Sequence, residues 1–159
     1  LQASGAAVLR FNFRGVGRSE GRHDHGRGEQ DDVRAALDEM ERRFPGLPQV
    51  LGGFSFGSLM ALRVGASDPR ARALVALGLP LRLDPALAFL AGCTKPRLFV
   101  QGEHDEFGSG EALRALVARL PEPKALVVVP GADHFFKGLL EPMQQAVLSW
   151  AAQRPWETP

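Results

Sequence analysis

Apolar positions along this chain follow two rhythms. Short, nearly continuous apolar runs occur at Ala6–Phe13, Val50–Phe54, Ala73–Leu79, Arg97–Gln101 and Ala125–Val129. In the first of these, Leu9, Phe11 and Phe13 fall on one face, as a strand requires. Between the runs the spacing changes to three and four. Val33, Ala36, Leu37, Met40 and Phe44 form one such series, and Ser58–Ala66 a second. Ala112, Leu113, Leu116, Val117 and Leu120 form a third, and Met143, Ala146, Val147, Trp150 and Ala151 a fourth. These spacings predict amphipathic helices. A further short helix is expected over Pro85–Ala91.

Punctuation agrees with this division. Asp31 and Asp32 open the first helix, where acidic groups suit the dipole. Pro45, Gly46 and Pro48 end it, and Asp68-Pro69 stops the second. Ser109 is placed to cap the third, and Pro142 fits the first turn of the fourth. Gly15–Glu29 reads as a polar, glycine-rich loop, and Gln153–Pro159 as a frayed tail. Strands that are apolar throughout and alternate with helices predict an α/β fold. The sheet should be mostly parallel, with helices on both faces. No repeat or composition shift divides residues 1–159, so a single domain is expected.

Composition narrows the function classes. The chain has 159 residues and a net charge of +1, with its arginines scattered. No strong field is present to draw nucleic acid or an anionic membrane. No apolar run approaches the roughly 20 residues needed to span a bilayer. The lone cysteine, Cys93, cannot form an internal disulfide and suits a buried or neutral role in a reducing compartment. A cytoplasmic protein is the expectation. The chain opens at Leu1 without a signal-peptide pattern and enters a strand within a few residues, which reads as a fragment.

The stretch RFNFRGVGRSEG, a strand running into glycines, invites a nucleotide-binding reading. The pattern fails. Gly15 and Gly17 match G-x-G-x-x-G, but Glu20 occupies the third position and no helix follows at once. No G-K-[ST] is present either.

The stretch LGGFSFGSLMALRV carries more. Gly53-Phe54-Ser55-Phe56-Gly57 fits G-x-S-x-G, with an apolar strand before it and an amphipathic helix after it. In such a turn the serine is lifted above the sheet edge on a strained backbone. The N–H of Phe56, at a helix N-terminus, is aimed at a developing oxyanion. A serine hydroxyl needs a base, and in this architecture the order is Ser, acid, His. His134 follows the last strand and is the final histidine. His23 and His25 precede Ser55 and fall in the polar loop, solvated or at the mouth of the pocket; His104 reads as a rim residue. The acid should follow the strand at Arg97–Gln101. There Asp105 is the choice and Glu103 its rival, while Asp133 reads as a loop contact.

With RFNFRGVGRSEG at 10–21, GGFSFGS at 52–58, GEHDEF at 102–107 and GADHFF at 131–136, the chain resembles an α/β-hydrolase. More narrowly, it is similar to small lidless bacterial serine hydrolases of the dienelactone-hydrolase-like and peptidase-like kind. The resemblance implies a Ser55–His134–Asp105 triad, an acyl-enzyme, and hydrolysis of ester-type or related small acyl substrates, as in a carboxylesterase. It implies no cofactor and no metal, and a small-molecule substrate as partner, without nucleic acid or membrane. The alternative is a non-catalytic fragment serving as a binding scaffold. The loop Arg14–Gly21 becomes a rim turn. The resemblance also implies strands upstream of RFNFRG, one lying between Ala6–Phe13 and Val50–Phe54 and bearing a second oxyanion donor. The sequence is therefore expected to be N-terminally truncated. Phe54, Phe56, Phe107, Phe135 and Phe136 are candidate pocket walls.

Overall fold

The computed structural model describes residues 5–157. Four strands form one parallel sheet in the order β1-β2-β3-β4: β1 Gln49–Phe54, β2 Ala71–Leu77, β3 Arg97–Gly102 and β4 Lys124–Val129. The register runs from Phe54 opposite Leu77 to Gly102 opposite Val129. The strand ends therefore share one edge. Helices α1 (Gly28–Arg43), α2 (Phe56–Gly65), α3 (Gly110–Val117) and α4 (Leu140–Ala152) connect or follow the strands. Parallel strands need such crossovers, and the crossovers cover the sheet.

Alternate strand residues feed two cores. Leu74, Ala76 and Phe99 join Val33 and Leu37 of α1, Leu59 and Leu62 of α2, and Leu113 and Leu116 of α3 on one face. Val75, Leu98 and Val100 join Trp150 of α4 on the other, with Phe136 from the loop before it. The expected α/β architecture, with helices on both faces of a parallel sheet, is present. Cys93 is buried in the first core, as a small hydrophobe. Ser109 caps α3, its side chain accepting the Ala112 N–H.

Several boundaries depart from expectation. Ala6–Phe13 forms no ladder. A strand needs a neighbour about 4.8 Å away to take its backbone bonds, and no described segment flanks the outer edge of β1. Val8, Leu9 and Phe11 are exposed, while Phe13 stacks edge-on against Phe56 at 5.5 Å. Residues 85–91 shrink to one 3₁₀ turn at Ala88–Leu90, preceded by Leu87 in the left-handed region. Helix α1 begins at Gly28, earlier than its apolar spacing indicates. Asp32 is thereby drawn inside the helix, where its carboxylate accepts bonds from the Arg14 guanidinium and the Arg14 N–H. In the expected frayed tail, Pro155–Glu157 turns back so that Trp156 meets Trp150; residues 158–159 lie outside the described residues.

The turn from β1 to α2 has a steric requirement. A Cβ on Gly53 would stand 2.3 Å from the carbonyl carbon and oxygen of Gly57. Those are backbone atoms at the start of α2 and cannot swing aside. A Cβ on the neighbouring Gly52 would meet Val75 at an ordinary 3.6 Å. Gly53→Ala is accordingly expected to cost roughly 1–3 kcal/mol in denaturant unfolding. Gly52→Ala should be neutral or stabilise by up to about 1 kcal/mol, by removing backbone freedom from the unfolded chain. Equal effects of the two changes would contradict the packing described.

Candidate active site

The residue between β1 and α2 is Ser55. Its φ of 53° and ψ of −126° lie where a residue with a side chain is strained. The conformation is held on both sides. The Ser55 N–H donates to the Leu77 carbonyl at 2.9 Å. Its own carbonyl accepts from the Ser58 hydroxyl at 2.6 Å. The side chain is left above the strand edge, and the Phe56 N–H, in the first turn of α2, has no intrahelical partner.

The loops after β3 and β4 meet Ser55 there. Gly102 makes that approach possible, since a Cβ on it would lie 2.5 Å from the Asp133 carbonyl oxygen and 2.6 Å from that of Ala132. His134 places Nε2 2.9 Å from Ser55 Oγ and Nδ1 2.8 Å from Asp105 Oδ2. Both the His134 and Asp105 side chains are buried. The other Asp105 oxygen accepts the Phe107 N–H at 2.8 Å. With Nδ1–H donating to the carboxylate, Nε2 keeps its lone pair toward the serine hydroxyl. The rings of Phe54, Phe107 and Phe135 surround the imidazole, with centroids 5.0, 4.6 and 5.1 Å away. They restrict its rotation and the access of water.

A buried amide completes the arrangement. Gln101, at the end of β3, is fully buried. Its Nε2 donates to Asp105 Oδ2 at 2.8 Å and to the Gly108 carbonyl at 2.7 Å. Its Oε1 accepts the Leu79 N–H at 2.8 Å. The carboxylate thus has donors from a side chain, a backbone amide and the imidazole, which offsets its burial. Sequence reasoning missed Gln101. The only signal was one amide closing the strand immediately before GEHDEF.

The remaining candidates separate cleanly. Glu103 faces solvent, and its carboxylate accepts the Gly131 N–H at 2.8 Å, so it tethers the two loops and lies away from the imidazole. His104 is exposed beside it. Asp133 accepts the Lys137 N–H at 3.0 Å as a loop contact. Of the candidate walls, Phe54, Phe107 and Phe135 surround His134, whereas Phe56 packs between Phe13 and His23. Phe136 is 1% exposed in the second core, a correction to its reading as a wall. Its φ of 53° turns the ring inward just as His134 is turned out to the site.

A hydroxyl, an imidazole and a buried carboxylate in this relation can generate a nucleophile at neutral pH without a metal among the groups required. Among the described residues, no helix is long and apolar enough to cross a membrane.

Comparison with known proteins follows the same lines. A family model described as an alpha/beta hydrolase domain matches residues 1–152. An uncharacterized protein of Rickettsia prowazekii, RP471, is 34% identical over 155 residues, covering 92% of this chain and 65% of the relative. The chain thus spans slightly under two thirds of that curated relative. Among solved structures, an alpha-beta serine hydrolase homologue from Coxiella burnetii is 35% identical with a TM-score of 0.80, covering 88% of this chain and 67% of the other. XC6422 from Xanthomonas campestris, described as an a/b serine hydrolase without lid, is 34% identical with a TM-score of 0.75, covering 89% and 65%. The parallel sheet, the strained turn after its first strand and the match over nearly the whole sequence agree: the chain belongs to the alpha/beta hydrolase family.

Proposed function

We propose that the protein is a serine hydrolase of ester-type or related small acyl substrates, of carboxylesterase character, acting in the cytoplasm. The observation that carries this reading is the unbroken hydrogen-bonded line from Ser55 Oγ through both nitrogens of His134 to Asp105. Similarity to solved structures described as serine hydrolases supports it.

In this reading His134 Nε2 takes the Ser55 proton as Oγ attacks the substrate carbonyl. The imidazolium that forms is stabilised by Asp105, which stays ionised and holds the ring in one tautomer. Negative charge grows on the carbonyl oxygen, toward which the Phe56 N–H supplies a donor at the positive end of α2. The tetrahedral intermediate collapses, and His134 passes its proton to the leaving alcohol, leaving an ester on Ser55. Water, deprotonated by His134, then attacks that ester; the carboxylic acid departs and Oγ regains its proton. Gln101 acts through Asp105 as a positioning residue.

A fluorophosphonate probe should label Ser55 covalently, with labelling lost in Ser55→Ala, as read by intact-mass spectrometry and peptide mapping. A folded protein that resists the probe contradicts the proposal.

Gln101→Met keeps the side-chain length but removes both polar ends. It should cost about 1–3 kcal/mol of stability through the orphaned Leu79 N–H. It should also slow labelling about tenfold or more, because His134 loses its fixed reference. Lost stability with unchanged labelling would reduce Gln101 to a structural part.

A further inference from the structure

The proposed reaction constrains where the leaving group must lie. His134 hands its proton to the departing oxygen, so that oxygen has to come within roughly 2.6–3.2 Å of Nε2. Nε2 is itself 2.9 Å from Ser55 Oγ. The carbons attached to the departing oxygen then pass over whatever borders the imidazole. The oxyanion lies elsewhere, toward the Phe56 N–H. The Phe56 ring is turned away, between Phe13 and His23.

What borders the imidazole is aromatic. The ring centroids of Phe54 and Phe135 lie 5.0 and 5.1 Å from that of His134. These two rings also meet each other at 6.1 Å, so they form one continuous surface. Gly78, directly after β2, lets the Phe54 ring and the imidazole settle together. A Cβ there would stand 2.9 Å from Phe54 Cε2 and 3.4 Å from His134 Cε1. Phe107 is engaged differently. Its N–H donates to Asp105, and the Arg82 guanidinium lies over its ring, 5.8 Å from the centroid. Exposure separates the roles. His134 is 2% exposed, but Phe54 is 41% and Phe135 63% exposed. The imidazole is covered while two adjoining rings beside it stay open to solvent. An apolar patch of that kind, in contact with a reactive group, marks a binding surface. The rings offer π faces and no hydrogen-bonding group. A second aromatic ring gains from meeting them beyond its burial alone. A hydroxyl-rich or charged group would instead lose water against them without a partner.

We infer that Phe135, together with Phe54, is the specificity-determining surface that receives the leaving alcohol, and that the substrates are esters of aryl-alkyl alcohols. This inference rests on the proposed hydrolase reading.

Two pairs of esters separate the alcohol side from the acyl side. Phenethyl acetate is compared with ethyl acetate, and ethyl hydrocinnamate with ethyl propanoate. Each pair differs by one phenyl ring. The phenethyl ester should be preferred about tenfold in kcat/KM over the ethyl ester. Phe135→Ala should bring that ratio close to one, and Phe135→Tyr, which keeps the ring, should preserve it. The ratio for the acyl-side pair should change less than about twofold in either variant. Binding is read without turnover by titrating phenethyl alcohol and ethanol into the protein and following the His134 ring signals by NMR. Phenethyl alcohol should saturate the shift and ethanol should not, and Phe135→Ala should weaken phenethyl alcohol about tenfold. An alcohol-side ratio near one, a preference that survives Phe135→Ala, both ratios falling together, or no saturable binding of phenethyl alcohol overturns the inference. Concentration-dependent broadening of the Phe135 signals without alcohol binding also overturns it, because a second copy of the chain then covers the rings. Failure of the hydrolase reading would appear differently, as an unlabelled Ser55 and no turnover of any ester with phenethyl alcohol still bound, and would strike out its role as a leaving group.

Discussion

The structure depends on one close backbone approach, where β1 ends against the first turn of α2. Gly53 and Gly57 pass near enough that a single added carbon would overlap the Gly57 carbonyl. That proximity forces Ser55 into its strained conformation and leaves the side chain free above the sheet. Local strain of this kind costs on the order of 1–3 kcal/mol and persists only when the surroundings over-determine it. Here the bonds to Leu77 and Ser58 and the packed face of α2 do so. The parallel sheet supplies the other half of the constraint. Its strands end on a common edge, so the loops after β3 and β4 bring Asp105 and His134 to the place where β1 delivers Ser55. This is the edge at which open α/β sheets bind ligands.

Polar groups buried at that edge are satisfied as a set. The Leu79 N–H, Gln101, Asp105, His134 and Ser55 form one continuous line of hydrogen bonds, with the Gly108 carbonyl and Phe107 N–H as branches. In a low-dielectric interior such a line is strong when complete and costly when broken. The aromatic rings around His134 provide the low dielectric. On the other flank of the turn, the Asp24 and Gly26 N–H groups stabilise the buried Glu29 carboxylate, which lies 2.8 Å from His23 Nδ1.

Elements that depend on neighbours in sequence are legible in the residues themselves. Ser55 stands out because strand, glycines and helix must occur together for such a turn, and Asp105 and His134 follow from the loops that close the next strands. The alternation of apolar runs and helical spacing is enough for the parallel sheet and its two covered faces. What depends on distant partners is not legible. Ala6–Phe13 has strand periodicity, but a strand exists only through its ladder, and none of the described residues supplies one. Gln101 looks like any residue of a buried strand until Leu79, Gly108 and Asp105 are brought around it. Asp32 reads as a dipole partner in sequence because its contact with Arg14 spans 18 positions. Phe136 reads as a neighbour of the His134 ring, but one left-handed residue sends the two rings to opposite sides.

The central claim is that Ser55 and His134 act as one unit. The most direct measurement is a double-mutant cycle in which ester turnover is followed for Ser55→Ala, His134→Ala and the combined variant. Residues acting in a single proton-transfer step are strongly non-additive. The account predicts that the double variant is no slower than the slower single variant. Losses that add on a logarithmic scale would mean that the two side chains contribute independently, and would contradict it.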